Sequence, residues 1–339
     1  MTDNNIFEVE NLTVNYKTPH GKVYAVRDVS FTLKSGEILA IVGESGCGKT
    51  ALCKAITRLL ADNAEIVSGR VILDGKDITH LSEREIRRMR GSEFSMIFQD
   101  PMTSLNPTIK IGEQIAEAVR KSHRGISKRD VKKRAVELME AVGIDRAEER
   151  YDLYPHNFSG GMRQRVVIAI ALAGEPKIIF ADEPTTALDV TIEAQILDLL
   201  LEVQEKLHIA IVLVSHDLGV VAKVADRVAV MYAGKIIEIG TSEEIYYDPR
   251  HPYTWGLMRA LPAFSNSDEA LYTIPGMPPT LTEIPKGDAF APRNEFALPK
   301  DFSEEPPMFK VTDTHYAATW LLEDGAPKVE VPKFGGKKR

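Results

Sequence analysis

A chain of 339 residues, 44% of them apolar, is long enough for one large domain with attachments or for two domains, and can build an ordinary core. Its net charge of −7, with 27% charged residues of both signs, argues against a nucleic-acid binder, which carries a basic excess. With only Cys47 and Cys53, close together in sequence, a stabilising disulfide or a Cys/His zinc cluster is not expected.

In chain order, short alternating runs over Phe7–Leu12 and Val23–Leu33 predict strands, separated by the turn Thr18-Pro19-His20-Gly21. Glu37–Val42 predicts a buried strand that ends in a glycine loop, and a helical pattern follows from Lys49 to about Ala61. Gly69–Leu73 and Glu93–Phe98 predict further strands. Residues 107–172 differ: Ile111, Ile115 and Val119, then Val131, Ala135, Leu138 and Val142, recur at helical spacing among many charges, and predict an inserted α-helical block. Strands are expected again at Lys177–Ala181, Ile209–Val214, Val228–Tyr232 and Lys235–Ile239, with a helix over Ile192–Leu207. Alternating strands and helices imply an α/β sheet covered by helices. Residues 262–309, rich in Pro, Ser, Asp and Glu, read as an appended tail that wraps or pairs locally, and Lys333–Arg339 as a basic, disordered tip. The acidic, polar start does not read as a signal peptide. The longest apolar stretch, Val166–Ala173, has about half the length that spans a bilayer, so at a membrane another chain must hold this one.

The sharpest motif is Gly43-Glu44-Ser45-Gly46-Cys47-Gly48-Lys49-Thr50, a match to G-x-x-x-x-G-K-[ST] between a predicted strand and a predicted helix. Glycines allow turns that aim several N–H groups at a phosphate chain, and a helix N-terminus adds to the same field. Lys49 adds a cation near the β- and γ-phosphates, the Thr50 hydroxyl suits Mg²⁺, and the phosphate-contacting run extends to Ala51. A turn that merely caps a helix is the competing reading, and the strand–loop–helix context counts against it. A helix N-terminus also lowers a thiol pKa, so Cys47 is expected to be reactive, with a buried, inert thiol as the alternative.

Lys177–Ala181 runs into Asp182-Glu183, two acids at a strand end. Asp182 would hold Mg²⁺ and Glu183 would polarise the attacking water as general base. Many strands end in acids, and the pair gains weight from the glycine loop upstream. Gln99, after the strand ending at Phe98, is a candidate for contact with Mg²⁺ or the water. His216, after the strand ending at Val214, is a candidate for contact with the γ-phosphate, although a lone histidine there is more often structural. Asp189, in Ala187-Leu188-Asp189, lies just beyond the acids and could pass near a second nucleotide. Phe158-Ser159-Gly160-Gly161-Met162-Arg163-Gln164-Arg165 opens a helix; alone, Ser-Gly-Gly is a helix cap.

The order Gly43–Thr50, Gln99, Ser159–Gln164, Asp182-Glu183, Asp189, His216 resembles the nucleotide-binding domain of ABC transporters. The resemblance implies two cassettes closing head to tail on two ATP molecules, with Ser159, Gly160, Gly161, Met162 and Asp189 serving the partner's ATP. It places Tyr16 as the aromatic that stacks on adenine, with Tyr24 the other candidate. Met162 in the signature, Gln99–Pro107, His251-Pro252-Tyr253-Thr254, Ile274–Pro279 and Gly287–Arg293 resemble the oligopeptide/dipeptide importer subfamily over nearly the whole chain. Some relatives follow the last stretch with cysteines that hold an iron–sulfur cluster; here Asn294-Glu295-Phe296 follow and no cysteine occurs after Cys53, so no cluster is expected.

The fold implied is an α/β P-loop ATPase core with an antiparallel β portion, an α-helical insert and a C-terminal extension. Its expected division is a nucleotide-binding domain over 1–261, with the helical subdomain at about 107–172, and an extension over 262–339. The resemblance implies ATP and Mg²⁺ as ligands, and a catalytic set of Lys49, Gln99, Glu183 and His216. It also implies two transmembrane permeases, a sister ATP-binding subunit, an extracellular substrate-binding protein, and a peripheral place on the cytoplasmic face of the membrane. Nickel or another small solute, carried by the same subfamily, remains an alternative. A soluble ABC ATPase of DNA repair or translation shares the motifs, but the single cassette, the tail and the acidic balance count against it. A non-catalytic cassette is disfavoured by Lys49, Glu183 and His216 together.

Overall fold

The computed structural model describes residues 5–123, 125–186, 188–261 and 272–332. Ala187, residues 262–271 of the predicted tail and the basic tip Lys333–Arg339 lie outside them. Chain contacts divide the protein into two units: Lys34–Glu37 with His80–Val214, and Asn5–Leu33 with Ile38–Thr79 and residues 215–332.

The second unit begins with β1 (Asn5–Thr18) and β2 (Gly21–Lys34), both longer than the sequence patterns suggest. β1 buries Phe7 and Val9, then Leu12 and Val14, so its inward phase changes from odd to even positions. The cause is a bulge: the register against β4 (Ala64–Leu73) shifts between Glu10 and Thr13, and Asn11 takes a φ of +48°. β4 also pairs with the short β5 (Lys76–Asp77). β3 (Ile38–Val42) is buried at all five positions and runs parallel to β9 (Arg227–Tyr232), which explains a continuous apolar run without alternation. Each fully buried Val, Leu or Ile there contributes about 1.5–3 kcal/mol. α1 (Lys49–Ile56) stops short of the Ala61 expected from sequence. The Thr57 hydroxyl donates back to Cys53 O at 2.7 Å and Arg58 turns left-handed at a φ of +57°, which ends the helix.

The first unit carries α2 (Glu83–Met89), opened by a capping box between Ser82 and Glu85, then β6 (Phe94–Ile97) and α3 (Pro101–Ser104). The predicted helical block follows as α4 (Ile111–Ser122), α5 (Lys128–Ala141), α6 (Ala147–Arg150) and α7 (Gly160–Leu172). α4 and α5 bury the stripes that the sequence spacing marks: Ile111, Ile115 and Val119, and Val131, Ala135 and Leu138. From Val166 to Leu172 α7 is buried at every residue but Ile170, so this apolar stretch is a core helix. β7 (Ile178–Asp182) lies between β6 and β8 (Ala210–Ser215), all parallel, and α8 (Val190–Leu207) connects β7 to β8.

The second unit resumes with α9 (Leu218–Val221), the antiparallel pair β9 and β10 (Lys235–Thr241), α10 (Ser242–Tyr247) and α11 (Pro252–Arg259). The tail adds two short strands beyond β10: β12 (Tyr316–Ala317) pairs with β10, and β11 (Phe309–Lys310) pairs with β12. Glu238, fully buried on β10, accepts from the backbone N–H groups of Arg250 and His251 and pairs with Nε2 of His315 at 2.8 Å. A buried carboxylate with three such partners ties the tail to β10. Among the described residues no helix is long and apolar enough to cross a membrane.

Candidate functional site

The glycine loop follows β3 and leads into α1, as the motif requires. Ser45 and Gly46 are exposed at its tip, Thr50 and Ala51 are half-buried in the first turn of α1, and Lys49 is 4% exposed. Lys49 Nζ donates to Gly43 O at 2.7 Å and to Glu44 O at 3.0 Å, so its ammonium lies across the inside of the loop. Gly48 has a φ of +111°, and a Cβ there would lie 2.2 Å from the carbonyl oxygen of Ala25; only glycine fits. Cys47 is 5% exposed, and burial pushes its thiol above the ordinary value despite the charge and N–H of Lys49 nearby, as the buried-thiol alternative expects.

Two residues outside the motif grip the loop. The N–H of Glu44 donates to the Tyr253 hydroxyl at 2.9 Å, and the Glu44 carboxylate receives both arms of the Arg293 guanidinium at 2.7 and 3.0 Å. Arg293 is held far above even its usual pKa, chiefly by that carboxylate. Both residues lie in stretches shared with the subfamily, His251–Thr254 and Gly287–Arg293, but no motif marks them as loop contacts. Their partner lies more than two hundred residues away along the chain, and no local signal reports it.

His216 is exposed just after β8, and Asp217 beside it caps α9 through Gly219 N and Val220 N. Tyr16 is half-buried in β1 opposite Ala64, with its hydroxyl pushed up by burial; Tyr24 N donates to Leu281 O.

In the other unit, β7 ends at Asp182, which is 3% exposed and sits in register with Val214 of β8. Glu183 is the first residue beyond the strand. Its backbone is left-handed, with a φ of +46°, and its N–H donates to Val214 O. A non-glycine residue in that region is uncommon and stores strain where the surroundings hold it. The surroundings here are side chains: Glu183 Oε2 accepts from Gln99 Nε2 at 3.0 Å and from the Thr186 hydroxyl at 2.9 Å. The structure thus joins two predicted site residues, Gln99 and Glu183, and adds Thr186, which no sequence motif marks.

Ser159 caps α7, its hydroxyl accepting from Met162 N at 3.3 Å. Ser159 and Gly160 are exposed, whereas Gly161 is buried against α8, where an added Cβ would lie 2.5 Å from Ile192 Cγ2. Asp189 caps α8 by accepting from Thr191 N and Ile192 N. The loop residues, Tyr16 and His216 belong to one unit; Gln99, Ser159–Met162, Asp182, Glu183 and Asp189 belong to the other.

Residues 26–186 match the family model described as ABC transporter, and residues 237–300 match the one described as oligopeptide/dipeptide transporter, C-terminal region. The chain is 58% identical to the oligopeptide transport ATP-binding protein OppD of Bacillus subtilis, over 97% of its own length and 92% of that protein's. It is 57% identical to the dipeptide transport ATP-binding protein DppD of Lactococcus lactis, over 97% and 94% of the two lengths. Its fold is similar to that of a dimeric ATP-binding cassette solved in a post-hydrolysis state with ADP and Pi. That likeness has a TM-score of 0.63 and 30% identity, over 70% of this chain and 98% of that one. By its loop, its acid-ended strand, its C-terminal region and these likenesses, the chain belongs to the ABC transporter family, among the ATP-binding subunits of the oligopeptide/dipeptide type.

Proposed function

We propose that this chain binds ATP and hydrolyses it to drive uptake of oligopeptides or dipeptides, as the ATP-binding subunit of an importer. The observation that carries the reading is the pairing of Gln99 with the strained Glu183 at the end of β7, in a chain whose β3 runs into a complete G-x-x-x-x-G-K-T loop. In this reading residues Gly43 to Ala51 cradle the phosphates through the Lys49 ammonium and the loop's N–H groups other than that of Glu44, which the Tyr253 hydroxyl accepts, and Tyr16 stacks on the adenine. Glu183 orients and deprotonates the attacking water, held in place by Gln99 and Thr186. His216 contacts the γ-phosphate. Ser159, Gly160, Gly161, Met162 and Asp189 serve the ATP of a sister cassette.

Thr50, Gln99 and Asp182 would hold Mg²⁺. Among the described residues no three His, Cys, Asp or Glu side chains form a metal cluster. A hydroxyl, an amide oxygen and one carboxylate are the hard oxygen donors that suit Mg²⁺, which completes its shell with phosphate oxygens and water. Bound there, the ion neutralises charge on the transferring phosphoryl group. The partners in this reading are two permeases, a sister ATP-binding subunit and an external substrate-binding protein, with the chain peripheral on the cytoplasmic membrane face.

Uptake of a labelled tripeptide and of nickel, by cells whose only copy of the gene carries Lys49→Ala, tests the reading. Peptide uptake is expected to vanish while nickel uptake stays at the parent rate. Loss of nickel uptake with peptide uptake intact would replace the solute class, and parent rates for both would sink the transport reading.

A further inference from the structure

We infer that Arg293, in the C-terminal region, is a positioning residue for nucleotide binding that acts on the glycine loop through Glu44; the inference rests on the phosphate-loop reading above. Arg293 is 8% exposed, and all five of its N–H donors have acceptors. Nε donates to Pro275 O at 2.8 Å. One terminal nitrogen serves Glu44 Oε2 at 2.7 Å and the Tyr232 hydroxyl at 3.3 Å. The other serves Glu44 Oε1 at 3.0 Å and Ile274 O at 3.4 Å. A buried, two-pronged guanidinium with every donor used has one orientation available to it.

That orientation is passed to the loop. Glu44 is gripped twice, at its carboxylate by Arg293 and at its N–H by the Tyr253 hydroxyl. The carbonyl of Glu44, with that of Gly43, is in turn what Lys49 Nζ bonds. The path therefore runs from Arg293 through Glu44 to the lysine that meets the phosphates. The scaffold behind it is an aromatic cluster: the rings of Tyr232, Tyr253 and Phe290 pack against one another with centroids 4.6 to 5.3 Å apart.

Two physical effects follow from the same contact. The fork restricts the loop to one conformation, so a larger fraction of molecules is competent to bind. It also neutralises a carboxylate that sits within a loop built to receive a polyanion. Without Arg293 the loop loosens and Glu44 stands as a bare charge beside the phosphates. Both effects disappear when Glu44 is not a carboxylate, and this contingency separates positioning from mere support of the fold.

Titration calorimetry of the full chain with MgATP tests the inference, with the Tm of each variant without nucleotide reporting on folding. Arg293→Ala is expected to raise Kd about tenfold. In a Glu44→Gln background the same change is expected to move Kd less than about twofold, because the partner through which it acts is gone. Arg293→Lys keeps the charge and loses the fork, and is expected to raise Kd about threefold; it carries the cycle if Arg293→Ala does not fold. Equal effects of the Arg293 change in both backgrounds, or an unchanged Kd in a folded Arg293 variant, would overturn the inference. Lys49→Ala, titrated alongside, separates the two levels. If it binds MgATP as the parent does, the phosphate-loop reading fails; if it loses binding while the Arg293 variants keep it, the inference alone fails.

Discussion

The glycine loop at Gly43–Thr50 and the helix start at Ser159–Met162 are both glycine-rich turns that open a helix, yet they are held in different ways. The Ser159 turn is fixed locally: its hydroxyl caps α7 three residues on, and Arg163 Nε donates to Pro155 O at 2.8 Å. The glycine loop is fixed at long range, by Tyr253 and Arg293. A local cap comes with the helix it opens. A long-range brace must wait for the rest of the chain, and it lets a distant region act on the loop.

Substitutions distinguish the two kinds of anchoring. The largest effect is expected in the loop itself. Gly48→Ala puts a side chain at a φ of +111° and against the Ala25 carbonyl oxygen. Strain of that kind costs of order 1–3 kcal/mol before the clash is relieved. MgATP affinity, read by calorimetry, should fall more than about tenfold, since about 1.4 kcal/mol is a factor of ten. Parent affinity would mean that the loop's backbone geometry does not matter to binding.

At the helix start the glycine requirement is one of packing. Gly161→Ala drives a Cβ toward Ile192 on α8, and overpacking of this kind costs about 1–3 kcal/mol. Denaturant unfolding should show a lower midpoint, and in an Ile192→Ala background, where the Cγ2 methyl is gone, the same change should cost less. An unaltered midpoint would show that the α7–α8 contact yields freely.

The smallest effect is expected for the cap. Ser159→Ala removes the bond to Met162 N and should cost about 1 kcal/mol in the same unfolding assay. A loss of several times that would mean that Ser159 does more for the fold than end a helix.

How much of this was readable in advance follows the same division between local and distant. The stripes of α4 and α5 are periodic, and the spacing of Ile111, Ile115 and Val119 marks their buried face directly. Asp182 and Glu183 are visible because an apolar strand stops at them, although the left-handed turn of Glu183 and its bond to Thr186 are not. α2, absent from the predicted elements, has a local signal in Ser82 followed by Glu85. The end of α1 had none, because Thr57 and Arg58 are ordinary helix residues until one back-bonds and the other turns. The tail strands β11 and β12 are two residues each and carry no period; they exist through pairing with β10. Arg293 and Glu44, 249 residues apart, are joined only by the fold. Local patterns thus marked the residues of the candidate site, while what braces them came from contacts that no window of sequence contains.

If Glu183 is the base of ATP hydrolysis, its carboxylate is needed for turnover and not for binding. The most direct test measures MgATP affinity and steady-state turnover of Glu183→Gln in the assembled transporter. The glutamine keeps the shape of the side chain and loses its basicity. Binding close to the parent's and turnover about 10²–10⁴ times slower are expected. Turnover near the parent's rate would contradict that role.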